Sequence, residues 1–458
     1  MTIETAIAQI KAILGDRITT AKAERDLHGA NETYYPATPP DAVAFPANTE
    51  EISAILKICN AEGCPVVAYG AASSLEGQHL ATSGGISLDM RDMNRVLEVN
   101  AEDLNCVVQP GITRIELNEE LRATGLFFSV DPGANASIGG MAATRASGTT
   151  AVRYGTIRDN ILALEAVMAD GTVIRTGTKA MKQSTGYDLT HLLIGSEGTL
   201  GIITELTLKL HGQPEGVMAA TCRFPDVEAA VNCVILTIQS GLPMARIELL
   251  DEMMVRGFNK YANAGLPEWP HLFLEFHGTE AGVAEQAERF GEIAAEFGAE
   301  GWKTATKTED RNALWKMRHS AHYATASLGN GGRIWPTDAC VPISMLAEAV
   351  TLAQSEAKRL GLIWAIVGHV GDGNFHASLC FNPDDPEEMA RAEEYTTALA
   401  EIALRLGGTV SGEHGIGLGK QKYMAQEHGP ALTYMRAIKT AFDPNNILNP
   451  GKLLPPEN

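Results

Sequence analysis

From Met1 to Ile18, Ile and Ala recur at helical spacing among Glu, Lys and Asp, which predicts an amphipathic helix and a linker reaching about residue 30. Pro36, Pro39, Pro40 and Pro46 then favour extended backbone and mark the entry into a new domain. Beyond them helix and strand alternate. Glu50 to Glu62 reads as a helix, Pro65 to Tyr69 as a short apolar strand, and Gly70 to Gly77 as a small-residue loop. Strand-like runs recur from Ile86 to Leu210, among them Asn105 to Gln109, Ile161 to Met168, Val173 to Thr176 and Ile202 to Leu210.

After Pro214 the pattern changes to longer amphipathic helices: Asp226 to Gln239, Gly282 to Phe297, Met345 to Leu360 and Pro386 to Leu406. Strands such as Leu272 to His277 and Leu362 to Val367 separate them. The expected organisation is an N-terminal helix and linker at 1–30, a domain at 31–215, and an α+β domain at 216–458. Asn449-Pro450-Gly451-Lys452 forms a turn before a short tail, and there is no internal repeat or low-complexity tract.

The composition narrows the function classes. With 45% apolar and 20% charged residues, the 458-residue chain is a globular protein of about two or three domains. Its 36 Lys and Arg against 56 Asp and Glu leave a formal charge of −20, which repels nucleic acid and anionic lipid surfaces. An anionic substrate must therefore be drawn to a local cation or metal. Seven cysteines lie singly with no C-x-x-C pair, so they read as reduced, buried residues. No apolar run reaches the ~20 residues of a membrane span, and the start lacks the features of a signal or transit peptide; the expectation is a cytoplasmic protein without a membrane span.

Three segments concentrate small residues whose backbone N–H groups can face a phosphate: Tyr69 to Gly77, Asp131 to Met141, and Gly195 to Gly201. None matches G-x-G-x-x-G, and Gly415 to Lys420 does not fit the P-loop pattern. Singly, each reads as a tight turn. Together, three such loops in one domain suit a long phosphate-bearing ligand such as a dinucleotide.

The sharpest chemistry lies in Gly368-His369-Val370-Gly371-Asp372-Gly373-Asn374-Phe375-His376, between two apolar runs. On one straight strand, residues seven apart face opposite sides, whereas a hairpin turning near Asp372 places His369 and His376 across from each other. A third ligand for Zn²⁺, Mn²⁺ or Fe²⁺ is on offer in Ser411-Gly412-Glu413-His414-Gly415-Ile416-Gly417. Spacing alone leaves open that these are satisfied histidines of a glycine-rich bend. In Trp315 to His322 the helical pattern puts Arg318 and His322 on one face; this is either a solvated face or a cation suited to bidentate carboxylate recognition.

With these motifs the chain resembles the vanillyl-alcohol oxidase and p-cresol methylhydroxylase superfamily: the first 215 or so residues are similar to its FAD-binding domain and the rest to its FAD-linked oxidase C-terminal domain. GHVGDGNFH, SGEHGIGLGK and NPGK are similar to signatures of the branch holding D-lactate, glycolate and D-2-hydroxyglutarate dehydrogenases. Thr337 to Ser344, with Arg318-His319, most resembles the cytochrome-linked D-lactate enzymes. The resemblance implies an α+β protein: a two-part FAD-binding domain of the p-cresol methylhydroxylase type plus an α+β substrate (cap) domain whose C-terminal segment returns to the flavin.

It further implies non-covalent FAD held by Tyr69, Gly70, Ala71, Ala72, Ser73, Ser74, Leu75, Pro132, Gly133, Ser137, Ile138, Gly139, Gly140, Ala143, Thr144, Ser147, Gly148, Tyr154 and Gly155. Glu197, Gly198, Gly201, Ile202 and Ile203 would lie toward the adenine, and Asn449 near the isoalloxazine. His369, His376 and Glu413 become ligands of a divalent metal, Zn or Mn with Fe possible as a third choice, and His414 the catalytic base. Arg318, Asn374 and His322 become substrate-binding residues, His322 standing where relatives carry an aromatic residue or Thr. The implied reaction is oxidation of a small anionic D-2-hydroxy acid, with a cytochrome, a quinone or an electron-transfer flavoprotein as acceptor and a homodimer as a candidate assembly. A metal-dependent hydrolase is the rival of another class.

Overall fold

The computed structural model describes residues 2–329 and 332–456, and the chain divides into two units. Unit 1 comprises Met1–Ser147, Gly155–Gln213 and Glu413–Asn458; unit 2 comprises Gly148–Tyr154 and Pro214–Gly412. Three features of the division stand beside the expected segments 1–30, 31–215 and 216–458. The N-terminal helix Ile3–Leu14 is no appendage, because Ala6, Ile10 and Leu14 join a unit 1 core with Ile52, Ile55 and Ile86. The short segment 148–154 belongs to unit 2, and the chain from Glu413 onward belongs to unit 1.

Unit 1 holds two main sheets. In the first, Val66–Tyr69 and Ala42–Ala44 pair in parallel with Ile86–Asp89, and Ile18–Thr19 adds an antiparallel edge. In the second, Val96–Asn100, Asn105–Val108, Ile202–Lys209, Ile161–Val167 and Val173–Gly177 form an antiparallel sheet in that order. Strand Ile202–Lys209 serves two cores. Ile202 packs with the first, and Ile203, Leu206 and Leu208 pack with the second around Phe128 and Ile138.

Unit 2 is built on one antiparallel sheet, ordered Glu300–Ala305, Gly216–Arg223, His271–Gly278, Met244–Leu250, Ile363–His369, Asn374–Phe381 and Arg333–Trp335. Helices cover it because their starts are capped and one stripe of each is apolar. Asp226, Thr279 and Asp251 accept from the first-turn amides of helices Val227–Gln239, Glu280–Glu296 and Glu252–Ala262, and Asp385 with Pro386 starts Pro386–Arg405. On one sheet face, Leu250, Phe273, Ala365 and Val367 pack against Met254, Val255, Phe258, Trp315 and Ala324 from three helices.

The hairpin that carries both histidines turns at 370–373, as the Asp-Gly signal suggested. Its register is a diagonal one: His369 is opposite Asn374, and His376 is opposite Val367. The two histidines therefore share a face two positions apart, a correction to the expectation that they stand directly across from each other. Gly373 has φ +76°, and a Cβ there would lie 2.0 Å from the Val341 carbonyl oxygen. Gly373→Ala thus meets both a left-handed backbone and a rigid wall, and is expected to cost about 2 kcal/mol or more. A thermal melt tests this; an unchanged melting temperature would contradict the turn as described.

Candidate active site

Within unit 1 the three glycine-rich segments converge. A Cβ on Gly70 would lie 2.3 Å from Ser137 Oγ, and the Gly195 and Glu197 amides donate to the Ala142 and Ala143 carbonyls, both at 2.9 Å. The second segment is more than a loop, since Ile138–Thr144 is helical. Ser137 Oγ and Asn449 Oδ1 are buried and have no hydrogen-bond partner. The open space at Gly133 and these two unused polar atoms fit a polar ligand laid along the loops, which is what bound FAD requires.

The other expected flavin contacts divide into backbone and side-chain positions. Tyr69 places its ring 4.1 Å from that of His28, and Ile138, Ile202 and Ile203 bury their side chains in the cores, leaving only their backbone for a ligand. Gly148 and Tyr154 lie in the segment assigned to unit 2, where the Tyr154 hydroxyl meets His277 Nδ1 at 2.7 Å. Lys452 of the NPGK turn donates to the Leu80 carbonyl at 2.6 Å, and burial pushes its amine down to about 8 against the pull of Glu197.

In unit 2 the His369 and His376 rings lie 5.4 Å apart at 82°. Glu413 follows Gly412 across one peptide bond, and one ligand atom from each of His369, His376 and Glu413 lies within 4.8 Å of the others. His369 Nδ1 is 2.6 Å from Glu248 Oε1, and His376 Nδ1 is 3.0 Å from the Thr337 carbonyl. Both rings thus have Nδ1 occupied and Nε2 facing away from that partner. Asn374 donates to Asp338 Oδ1 at 2.7 Å and to the Ala339 carbonyl at 3.0 Å, while its Oδ1 is buried without a partner. Two imidazoles, a carboxylate and an unused amide oxygen fit a divalent cation with an open coordination position.

The cationic segment differs from its helical reading. Helix Thr308–His319 ends at Ser320, and Ala321–Leu328 is a separate helix, so Arg318 and His322 do not share a face at i, i+4. Burial of Arg318, and not the break, removes the solvated-face alternative. Arg318 is 7% exposed, and its Nε and Nη2 lie 2.8 and 2.6 Å from Glu248 Oε2. Burial pushes the Glu248 carboxyl up, but the charges of His369 and Arg318 and their hydrogen bonds outweigh it and hold the carboxyl below the usual range. His322 stands edge-on to Tyr323 at 5.5 Å.

Residues 213–453 match the family described as "FAD linked oxidases, C-terminal domain", and residues 40–177 match "FAD binding domain". The chain belongs to the FAD-linked oxidases. It is 44% identical to "Probable D-lactate dehydrogenase, mitochondrial" of Danio rerio over 99% of this chain and 92% of that protein. It is 45% identical to "D-lactate dehydrogenase [cytochrome], mitochondrial" of Arabidopsis thaliana over 98% and 80%. "Glycolate oxidase subunit GlcD" of Bacillus subtilis matches at 37% over 92% and 91%. Among solved structures, p-cresol methylhydroxylase superposes with a TM-score of 0.83 at 19% identity, covering 99% of this chain and 97% of that one. The fold class is therefore the expected α+β one, and the activity is that of an FAD-dependent oxidoreductase, which sets the hydrolase reading aside.

The structure of this FAD-linked oxidase adds residues that no motif announced. Glu248, Glu275 and His277 reach the polar row only through strand register, and in sequence they are ordinary members of strand-forming runs. Trp315 Nε1 donates to Glu275 Oε2 at 2.5 Å, one helical turn before Arg318 binds Glu248. Asp338 receives Asn374 and Ser411, linking both motif segments. Alternating polar residues on adjacent apolar strands were the only available signal.

The carboxylate of Glu197, a residue expected toward the adenine, is engaged by backbone amides. Its Oε1 accepts the Ile416 amide at 2.6 Å and its Oε2 the Gly417 amide at 2.9 Å, while Gln78 Nε2 donates to the His414 carbonyl at 2.7 Å. Glu197→Gln turns one acceptor into a donor facing an amide. It is expected to leave flavin content unchanged and slow substrate-driven flavin reduction about tenfold, the scale of one lost buried hydrogen bond. Visible absorbance and stopped-flow reduction read the two effects; loss of FAD with a normal rate in the remaining holoenzyme would return Glu197 to the cofactor.

Proposed function

We propose that this enzyme oxidises D-lactate, or a closely related D-2-hydroxy acid, to the 2-oxo acid, with non-covalent FAD and a divalent metal. The convergence of His369, His376 and Glu413 carries the reading, together with the D-lactate dehydrogenase relatives at 44–45% identity. FAD when bound supplies a hydride acceptor, and Zn²⁺ or Mn²⁺ when bound supplies Lewis acidity toward a chelating hydroxyl and carboxylate. Arg318 keeps N–H groups beyond the edge spent on Glu248, and these hold the substrate carboxylate. Asn374, fixed by Asp338, offers Oδ1 beside the metal ligands, and His322 borders the substrate side chain. His414 receives the hydroxyl proton on its imidazole as the C2 hydrogen departs, so negative charge does not build up on the substrate.

Electrons then pass to a cytochrome, a quinone or an electron-transfer flavoprotein; the relatives named for a cytochrome favour the first. Glycolate is the second substrate to consider because of the GlcD relatives. Among the described residues no helix is long and apolar enough to cross a membrane, and we assign the enzyme to the cytoplasm with a homodimer as the assembly to test.

Anaerobic mixing with D-lactate, L-lactate, glycolate and D-2-hydroxyglutarate tests the substrate. D-lactate is expected to bleach the flavin fastest, and bleaching by none of the D-acids would end the proposal. His369→Ala or Glu413→Ala should keep FAD but lose most metal and most activity, because neither residue is among those expected to hold the flavin. Metal analysis on the same sample decides this, and wild-type metal content would refute the ligand set. His414→Asn should retain metal and FAD while slowing flavin reduction roughly 10²-fold, with loss of an ionisation seen in the wild-type rate profile. Loss of metal in that variant would make His414 a ligand instead.

A further inference from the structure

We infer that Glu248 is the positioning residue of the metal centre, setting His369 to coordinate through Nε2 and tying that ligand to Arg318. The inference rests on the metal reading above. Three observations carry it. Glu248 is fully buried, and its two oxygens divide their work: Oε1 meets His369 Nδ1 at 2.6 Å, and Oε2 takes the Nε and Nη2 edge of Arg318 at 2.8 and 2.6 Å. Strand register makes the first contact obligatory, since Glu248 and His369 are paired neighbours on adjacent strands and their side chains leave the same face. Helix Thr308–His319 makes the second, for Trp315 and Arg318 lie one turn apart and bind Glu275 and Glu248.

A carboxylate accepts but does not donate, so the His369 proton must sit on Nδ1 for this contact, which leaves the Nε2 lone pair for an ion. A negative partner on the far nitrogen also makes that lone pair a stronger donor. His376 is oriented differently: its Nδ1 meets the neutral Thr337 carbonyl at 3.0 Å, and the nearest carboxylate oxygen, Asp338 Oδ1, stands farther off at 3.8 Å. Arg318 neutralises Glu248 and fixes its plane. The substrate-binding cation and a metal ligand thereby share one buried carboxylate, and disturbing either one moves the other.

The test uses the FAD-loaded protein, stripped of metal by a chelator and titrated with Mn²⁺, with the free ion read by its EPR signal. Glu248→Gln is expected to weaken Mn²⁺ binding about 10- to 100-fold at unchanged flavin content, the usual scale for loss of a metal ligand's supporting partner. Arg318→Lys, which keeps the charge but loses the fork, is expected to weaken Mn²⁺ binding as well as raise KM. A role confined to substrate would raise KM alone. Should Glu248→Gln fail to fold, Glu248→Asp, which withdraws the carboxylate by one methylene, and Arg318→Lys are judged by the same criterion. Mn²⁺ affinity within twofold of wild type in the folded variants overturns the inference. Wild-type protein that takes up neither Mn²⁺ nor Zn²⁺ instead removes the metal reading on which it rests.

Discussion

Glu248 is buried between a guanidinium and an imidazole, and the arrangement of unit 2 follows from the need to keep that charge compensated. Removing one partner of a buried pair costs about 3–5 kcal/mol, because the remaining charge has neither water nor a counterpart. The strand register that sets Glu248 beside His369 and the helix end that delivers Arg318 are therefore mutually constrained. A one-residue slip of Met244–Leu250 would turn Glu248 to the opposite face of the sheet. The apolar packing of Leu250, Phe273 and Val367 on the same face opposes the same slip. Packing and charge compensation select one arrangement.

Unit 1 solves a different problem, that of holding an irregular loop still. Residues 413–420 are rich in glycine and lack regular backbone pairing, so their amides and carbonyls must find partners elsewhere. Glu197 takes two of the amides, Gln78 reaches the His414 carbonyl, and Asn449 donates to the backbone carbonyls of both Gln78 and Glu197. Burial pushes the Glu197 carboxyl up, and the Ile416 and Gly417 amides only partly oppose this. Gly415 has no room for a side chain, since a Cβ would lie 2.5 Å from Glu197 Oε1. The loop's rigidity comes from these fixed acceptors and from the lack of space around its glycines.

The two solutions bear on the charge problem set by a chain of net charge −20. A small anion gains little from the protein's overall field and must be held locally. Arg318 is largely withdrawn from water and spends one edge of its fork on Glu248, so under the proposed function its remaining N–H groups are what a substrate carboxylate would meet. Under the same proposal, a metal beside His369, His376 and Glu413 would be the second local source of positive charge.

The sequence by itself pointed to the α+β class, to the helices beginning at Thr49, Val227, Glu280, Leu346 and Pro386, and to the histidine and glycine motifs, but not to the inner strands Gly216–Arg223 and Met244–Leu250 of unit 2 or to the helices Glu252–Ala262 and Ala431–Phe442. Apolar periodicity and turn residues are local properties, and His369, His376 and Glu413 stand in short glycine-rich stretches that can be recognised in the sequence. It also led to the meeting of the three glycine-rich segments in one unit. It misjudged the span around Arg318, where the continuous helical pattern hides a break at Ser320, and it set the two histidines directly opposite instead of diagonal. Tertiary structure alone decided the partners. Glu248 for His369, Thr337 for His376, Asp338 for Asn374 and Glu197 for the Ile416 and Gly417 amides are separated by 36 to 220 positions in the chain. No local pattern distinguishes a carboxylate that will be buried against such a partner from one on a solvated edge, because the distinction is made by strand register and by which helix end packs above it.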